Sequence, residues 1–181
     1  MSDELKASSL DFGALIAFVA PGFVALLAMA YQLPSVRTLV AEASTHEQTL
    51  GVFLFALLAS LSLGLAVSGV RSLAIDFPLD WLLKKISGAS DPTIDWKTFD
   101  IKSLTMLLVL RDNYYRYYQF YSNMAVAVAL WAVSRTVANA PDVSRLSTPQ
   151  WVSVLVVVAV LLLAAGRQLR DYYRAKTVLA G

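Results

Sequence analysis

Apolar residues gather in four stretches separated by polar segments. Phe12–Leu33 reads FGALIAFVAPGFVALLAMAYQL, Leu50–Val70 reads LGVFLFALLASLSLGLAVSGV, Tyr118–Val137 holds the core MAVAVALWAVSRTV, and Trp151–Gly166 reads WVSVLVVVAVLLLAAG. Each approaches the ~20 residues that a helix needs to cross about 30 Å of hydrocarbon. The pattern predicts an all-α polytopic membrane protein with four transmembrane helices, forming one integral membrane domain over residues 1–181. The longest non-membrane segment is the loop 71–117 between the second and third spans.

That loop has its own pattern. In RSLAIDFPLDWLLKKIS, Leu79, Leu82, Leu83 and Ile86 share a helical face, Lys84 and Lys85 oppose it, and Trp81 lies beside it. An amphipathic helix starting after Pro78 is expected there, suited to the membrane surface. GASDPTIDWKTFD then reads as a turn region, and Asp100 or Ser103 caps a further helix. This helix runs from about Ile101 into the third span, so that stalk and amphipathic helix form a small helical cap.

Within the spans, Pro21-Gly22 removes a backbone hydrogen bond at mid-membrane and reads as a fixed kink or a hinge. Ala56, Ser60, Gly64 and Ser68 recur every four residues, giving a smooth face for close helix packing, within the chain or against another subunit. The fourth span is almost wholly Val, Leu and Ala and reads as the most lipid-exposed helix. Arg135, in the last turns of the third span, either snorkels toward headgroups or pairs with an outer-loop carboxylate such as Glu42, Glu47 or Asp142.

Composition agrees with a membrane protein: 57% of residues are hydrophobic and 15% charged, against about 25% charged in soluble domains. Mean hydropathy is +0.60. No cleavable signal peptide is expected, because the first span is longer than a signal core and follows the net acidic MSDELKASSLD. The absence of cysteine excludes disulfide and thiolate chemistry.

Charge decides the predicted orientation. With the N-terminus inside, Lys6, the basic residues of the 71–117 loop and Arg167, Arg170, Arg174 and Lys176 are all cytoplasmic, leaving Arg37, Arg135 and Arg145 outside. Basic residues concentrate on the cytoplasmic side of membrane proteins. The chain is therefore expected to be N-in/C-in, with membrane lipids as its immediate partners.

The densest chemistry sits at the inner boundary. RDNYYRYYQFY, Arg111–Tyr121, places Tyr114, Tyr115, Tyr117, Tyr118 and Tyr121 around Arg111 and Arg116. At helical spacing Arg111, Tyr114, Tyr118 and Tyr121 line one face. The tail echoes the motif as Arg170-Asp171-Tyr172-Tyr173-Arg174. One copy enters the membrane and the other leaves it, so the two can meet. Two readings stay open. Tyrosine and arginine form an interfacial belt on lipid headgroups, or they form an anion site in which guanidinium forks hold phosphate and rings stack on bases. The second reading makes a nucleotide or single-stranded nucleic acid the ligand, with Arg111, Tyr114, Tyr115, Arg116, Tyr118, Arg170, Tyr172, Tyr173 and Arg174 as its site.

Enzymatic chemistry finds little footing. His46, beside Glu47, is the one histidine, which excludes a His-based triad or a His-rich metal site within the membrane. Asp91, Asp95 and Asp100 fall in a turn region where aspartate caps and turns. Ser87-Gly88-Ala89-Ser90 is an isolated turn, not a phosphate-binding loop. No catalytic residue, metal or cofactor is assigned.

In layout, and in RDNYYRYYQFY and RDYYR, the chain resembles the small multi-pass membrane effectors of bacterial anti-phage defence, of the Hailong pore-forming type. That resemblance implies a homo-oligomer with a pore on its symmetry axis, held or released by a nucleic-acid-like signal from the cytoplasm. Polar pore candidates are few: Ser60, Ser62, Ser68, Ser122, Asn123 and Arg135. Such a lining suits a closed or dewetted pore. The alternative is a non-catalytic structural or assembly subunit that binds lipids and partner helices through its small-residue face.

Overall fold

The computed structural model describes residues 2–43, 50–87, 101–138 and 146–180, and these are helical almost throughout, with no strand among them. The α-helices are α1 (Ser2–Ala30), α2 (Pro34–Ala43), α3 (Leu50–Arg71), α4 (Phe77–Ser87), α5 (Ile101–Leu110), α6 (Arg116–Val137) and α7 (Thr148–Ala180). Two π-helical turns join them: π1 (Ser72–Asp76) links α3 to α4, and π2 (Arg111–Tyr115) links α5 to α6. His46, Glu47, the 88–90 turn, Asp91, Asp95, Asp100, Asp142 and Arg145 lie outside the described residues.

Local chemistry places the breaks. Pro34 opens α2, where a missing N–H costs nothing. At the start of α7 the Ser147 N–H donates to Oε1 of Gln150 at 2.9 Å, one of the two bonds of a capping box, and Pro149 sits in the first turn. No break occurs before Pro78. The chain is helical without interruption from α3 through π1 into α4, rather than starting a new helix after the proline. A proline ring presses on the carbonyl four residues back, and the wider π turn just upstream is where the helix absorbs it.

The long helices form an open row in which α1 runs antiparallel to α3 and parallel to α6, and α6 antiparallel to α7. α1 packs against both α3 and α6, α7 packs against α6, and α3 leans on α6 while standing apart from α7. At one end, Gln32 Nε2 donates to the Ser134 carbonyl at 3.0 Å. The opposite end collects Arg71, Tyr118 and Leu169 and is called the basic end below.

Side-chain size is distributed inside out. The buried positions of α1 and α6 are largely small: Ala17, Ala25 and Ala28 on one, Ala125, Ala127 and Ala132 on the other. The large apolar residues face outward, including Phe53, Phe55 and Leu58 of α3 and Leu155, Val160 and Leu163 of α7. In water the opposite arrangement is favoured, because burial of large side chains drives folding. In lipid, helices associate by close contact of small residues, and large side chains meet acyl chains at no cost.

Leu50–Leu79 and Thr148–Thr177 are each long and apolar enough to cross a membrane. In their most apolar 18-residue windows only 17% and 11% of residues are buried within the chain, which leaves most of their apolar side chains facing outward. Ile16–Ala30 is a shorter apolar helix. α6 is less apolar because Arg116, Gln119, Ser122, Asn123 and Arg135 interrupt it. Ser122 and Asn123 are fully buried there.

Helix backbones approach closely where α1 crosses α3. A methyl group on Gly22 would lie 1.7 Å from the Ser60 carbonyl oxygen, and one on Gly64 would lie 2.0 Å from that of Phe18. Ser60 and Gly64 are thus spent within the chain, while Ala56 and Ser68 on the same stripe are half-buried. Pro21, also buried, cannot donate to the Ala17 carbonyl; Asn123 Nδ2 of α6 donates to that oxygen at 3.3 Å.

Candidate functional site

The basic end is built around a residue whose charge alone suggested a place at the membrane boundary. Arg71 ends α3 and is only 4% exposed. Its Nη2 lies 3.3 Å from Oδ2 of Asp76, and its guanidinium carbon lies 5.3 Å from the centre of the Tyr118 ring. Tyr118 donates its hydroxyl to Oδ1 of Asp76. The π turn makes this possible. With i→i+5 hydrogen bonding, residues five apart come nearly into line, whereas an α-helix would leave them on different faces. Arg71 Nε and Nη1 are buried without a hydrogen-bond partner, so the one carboxylate carries most of the compensation.

Tyr118, 1% exposed, joins this ion pair to an aromatic cluster. It is buried with Ala165 and Leu169 of α7, and Leu79, Tyr115, Tyr121, Tyr172 and Tyr173 pack around them. The Tyr115 ring lies 5.6 Å from Tyr118 and 5.5 Å from Tyr172, and Tyr172 lies 6.0 Å from Tyr173, all tilted. The two RD–YYR copies therefore meet ring to ring.

The face that turns inward differs from the one helical spacing predicts. Tyr115, Tyr118 and Tyr121 converge, while Arg111 stands outside with its side chain 51% exposed. The π2 turn inserts its extra residue between Arg111 and Tyr118 and rotates the stalk relative to α6. Tyr114 is half-buried and Tyr117 is exposed.

The arginines are unequal. Arg116 Nε lies 3.0 Å from Asp112 Oδ1, a close pair one turn apart. Arg111 lies 3.5 Å from the same oxygen. Arg170 is half-buried with its Nε lacking a hydrogen-bond partner, and Arg174 is exposed. Arg111 and Arg174 are thus exposed, Arg170 is half-buried, and Arg111 and Arg116 share Asp112.

Elsewhere, Arg135 stacks over Trp131 at 5.6 Å and Lys85 over Trp81 at 4.9 Å. These are contacts of the kind that anchor helix ends at interfaces. Among the described residues no group of three His, Cys, Asp or Glu could hold a metal ion. Arg71 and Asp76 were not singled out by sequence reasoning. The signal was present as an acid five residues after an arginine, with a proline two residues beyond. The chain matches no protein-family model, no curated protein and no solved structure.

Proposed function

We propose that the chain is a four-span, N-in/C-in protein of a bacterial inner membrane. In this reading it is a homo-oligomeric effector or channel, gated from the cytoplasm by an anionic nucleotide or oligonucleotide. The observation that carries the proposal is the Tyr115–Tyr172 contact at 5.5 Å, where the helix entering the bilayer grips the one leaving it. An anion drawn to Arg111, Arg170 and Arg174 acts on that joint and shifts α7 against α6. The interior small residues and exterior large ones support a lipid environment for all four long helices. The lower hydropathy of α6 is no obstacle to spanning, since its most polar mid-helix groups, Ser122 and Asn123, face protein.

The assembly-subunit alternative draws less support, because Ser60 and Gly64 of its proposed docking face are already occupied by α1. The test is reconstitution in phospholipid vesicles with ion flux recorded while short DNA oligomers or nucleotides are added. The proposal expects flux that one of these anions changes, and loss of that response in the Arg111→Ala, Arg170→Ala double variant with insertion intact. Vesicles that stay tight under every addition would sink the channel reading. An unaltered response in the double variant would sink the site.

A further inference from the structure

A groove of about 520 Å³ runs along the outside of the α6–α7 contact, near the basic end. Its chemistry changes along its length. Val160, Leu163 and Ala164 form an apolar floor, and one turn further along α7 come Arg167, Gln168 and Asp171, with Tyr121 of α6 on the opposite wall. From Val160 to Asp171 the helix rises about 16 Å, enough for the headgroup, glycerol and upper acyl chain of one phospholipid.

The charges at the polar end form the longest of the described ion pairs at this end of the molecule. Arg167 Nε and Asp171 Oδ2 are 4.0 Å apart, whereas Arg71–Asp76 and Arg116–Asp112 close to 3.3 and 3.0 Å. The Arg167 side chain is 77% exposed and that of Asp171 34%. The groove thus presents a guanidinium and a carboxylate side by side as a long ion pair, the guanidinium largely exposed. A guanidinium takes a phosphate in a forked geometry, and a carboxylate takes a primary ammonium through charge-assisted hydrogen bonds. A phosphoethanolamine headgroup carries both partners at the spacing of a two-carbon linker. An anionic glycerol headgroup would bring Asp171 only neutral hydroxyl donors in place of an ammonium, and a free phosphate or nucleotide would leave the apolar floor uncovered.

We infer that this groove binds a phosphatidylethanolamine molecule, its phosphate on Arg167, its ammonium on Asp171 and an acyl chain on Val160, Leu163 and Ala164. The inference rests on the membrane part of the proposed function and is independent of gating. A carbonate wash of expressing cells tests the membrane part separately: a chain released by it fails that reading, and the groove with it.

The groove is tested on the full chain in mild detergent by native mass spectrometry, with phosphatidylethanolamine, phosphatidylglycerol and phosphatidylcholine added at equal concentration. Phosphatidylethanolamine adducts are expected to survive best. Asp171→Asn should lower their retention about tenfold, the loss of one charge-assisted contact, and leave phosphatidylglycerol unchanged or favoured. Leu163→Trp, filling the apolar floor, should reduce every lipid adduct while the unfolding temperature is kept. Equal retention of the three lipids by the native chain, or unchanged phosphatidylethanolamine retention in the folded Asp171→Asn variant, would overturn the inference.

Discussion

Asn123 supplies from α6 the hydrogen bond that Pro21 removes from α1: its Nδ2 donates to the Ala17 carbonyl, four residues before the proline, at 3.3 Å. Replacing Asn123 by Ala should cost about 1–2 kcal/mol, because the carbonyl would be left buried and unpaired. In a Pro21→Ala background the helix can make its own bond, so the same replacement should cost clearly less. Unfolding in detergent across this double-mutant cycle checks the coupling, and strict additivity would refute it.

The α1–α3 crossing has no room for a side chain on either glycine, since the methyl group would meet backbone oxygen in both cases. Gly22→Ala and Gly64→Leu should each destabilise by about 1–3 kcal/mol or more, the range for overpacking. Gly69, with open space around it, is the matched control, and Gly69→Ala should be tolerated. Thermal stability of the three variants reads the difference.

Arg71 stays buried whichever partner is lost. Asp76→Ala is expected to cost about 2–3 kcal/mol, somewhat below the ~3–5 kcal/mol for breaking a fully enclosed pair, because the Asp76 side chain is 31% exposed. Replacing both as Arg71→Met with Asp76→Leu should recover the part of that loss due to the unpaired charge, while the Tyr118 hydroxyl still lacks its acceptor. A double variant no more stable than Asp76→Ala would contradict this account.

Tyr115 and Tyr172 should show a coupling of about 0.5–1.5 kcal/mol in an alanine double-mutant cycle, as tilted aromatic pairs do. Zero coupling would make the rings mere neighbours and remove the joint on which ligand control is proposed to act.

The helical nature of the chain and the places of its apolar segments were legible because periodicity and span length are local properties. The small-residue stripe was equally legible, since Ser60 and Gly64 recur at helical spacing. The π turns were not. Each adds a single residue of phase, too little to disturb an apolar pattern but enough to rotate Arg111 out and bring Asp76 under Arg71. Nor could Asn123 be assigned to Ala17, since the two are separated by 106 residues and linked through a proline on a different helix. The meeting of the two Tyr/Arg motifs was foreseeable only as a possibility of topology. Their ring-to-ring packing is built around Tyr118, Ala165 and Leu169, which are buried together on two different helices.

The row order α3, α1, α6, α7 carries a geometric consequence for any assembly. Its two outermost helices are unlike: α3 presents phenylalanines Phe53 and Phe55, and α7 presents Val and Leu. An edge joined to its own copy would pair like with like and leave the other edge bare. Joining edge to unlike edge repeats head to tail, which either closes into a ring or grows as a filament in the plane of the bilayer. Only the ring leaves no apolar edge over and encloses space about its axis.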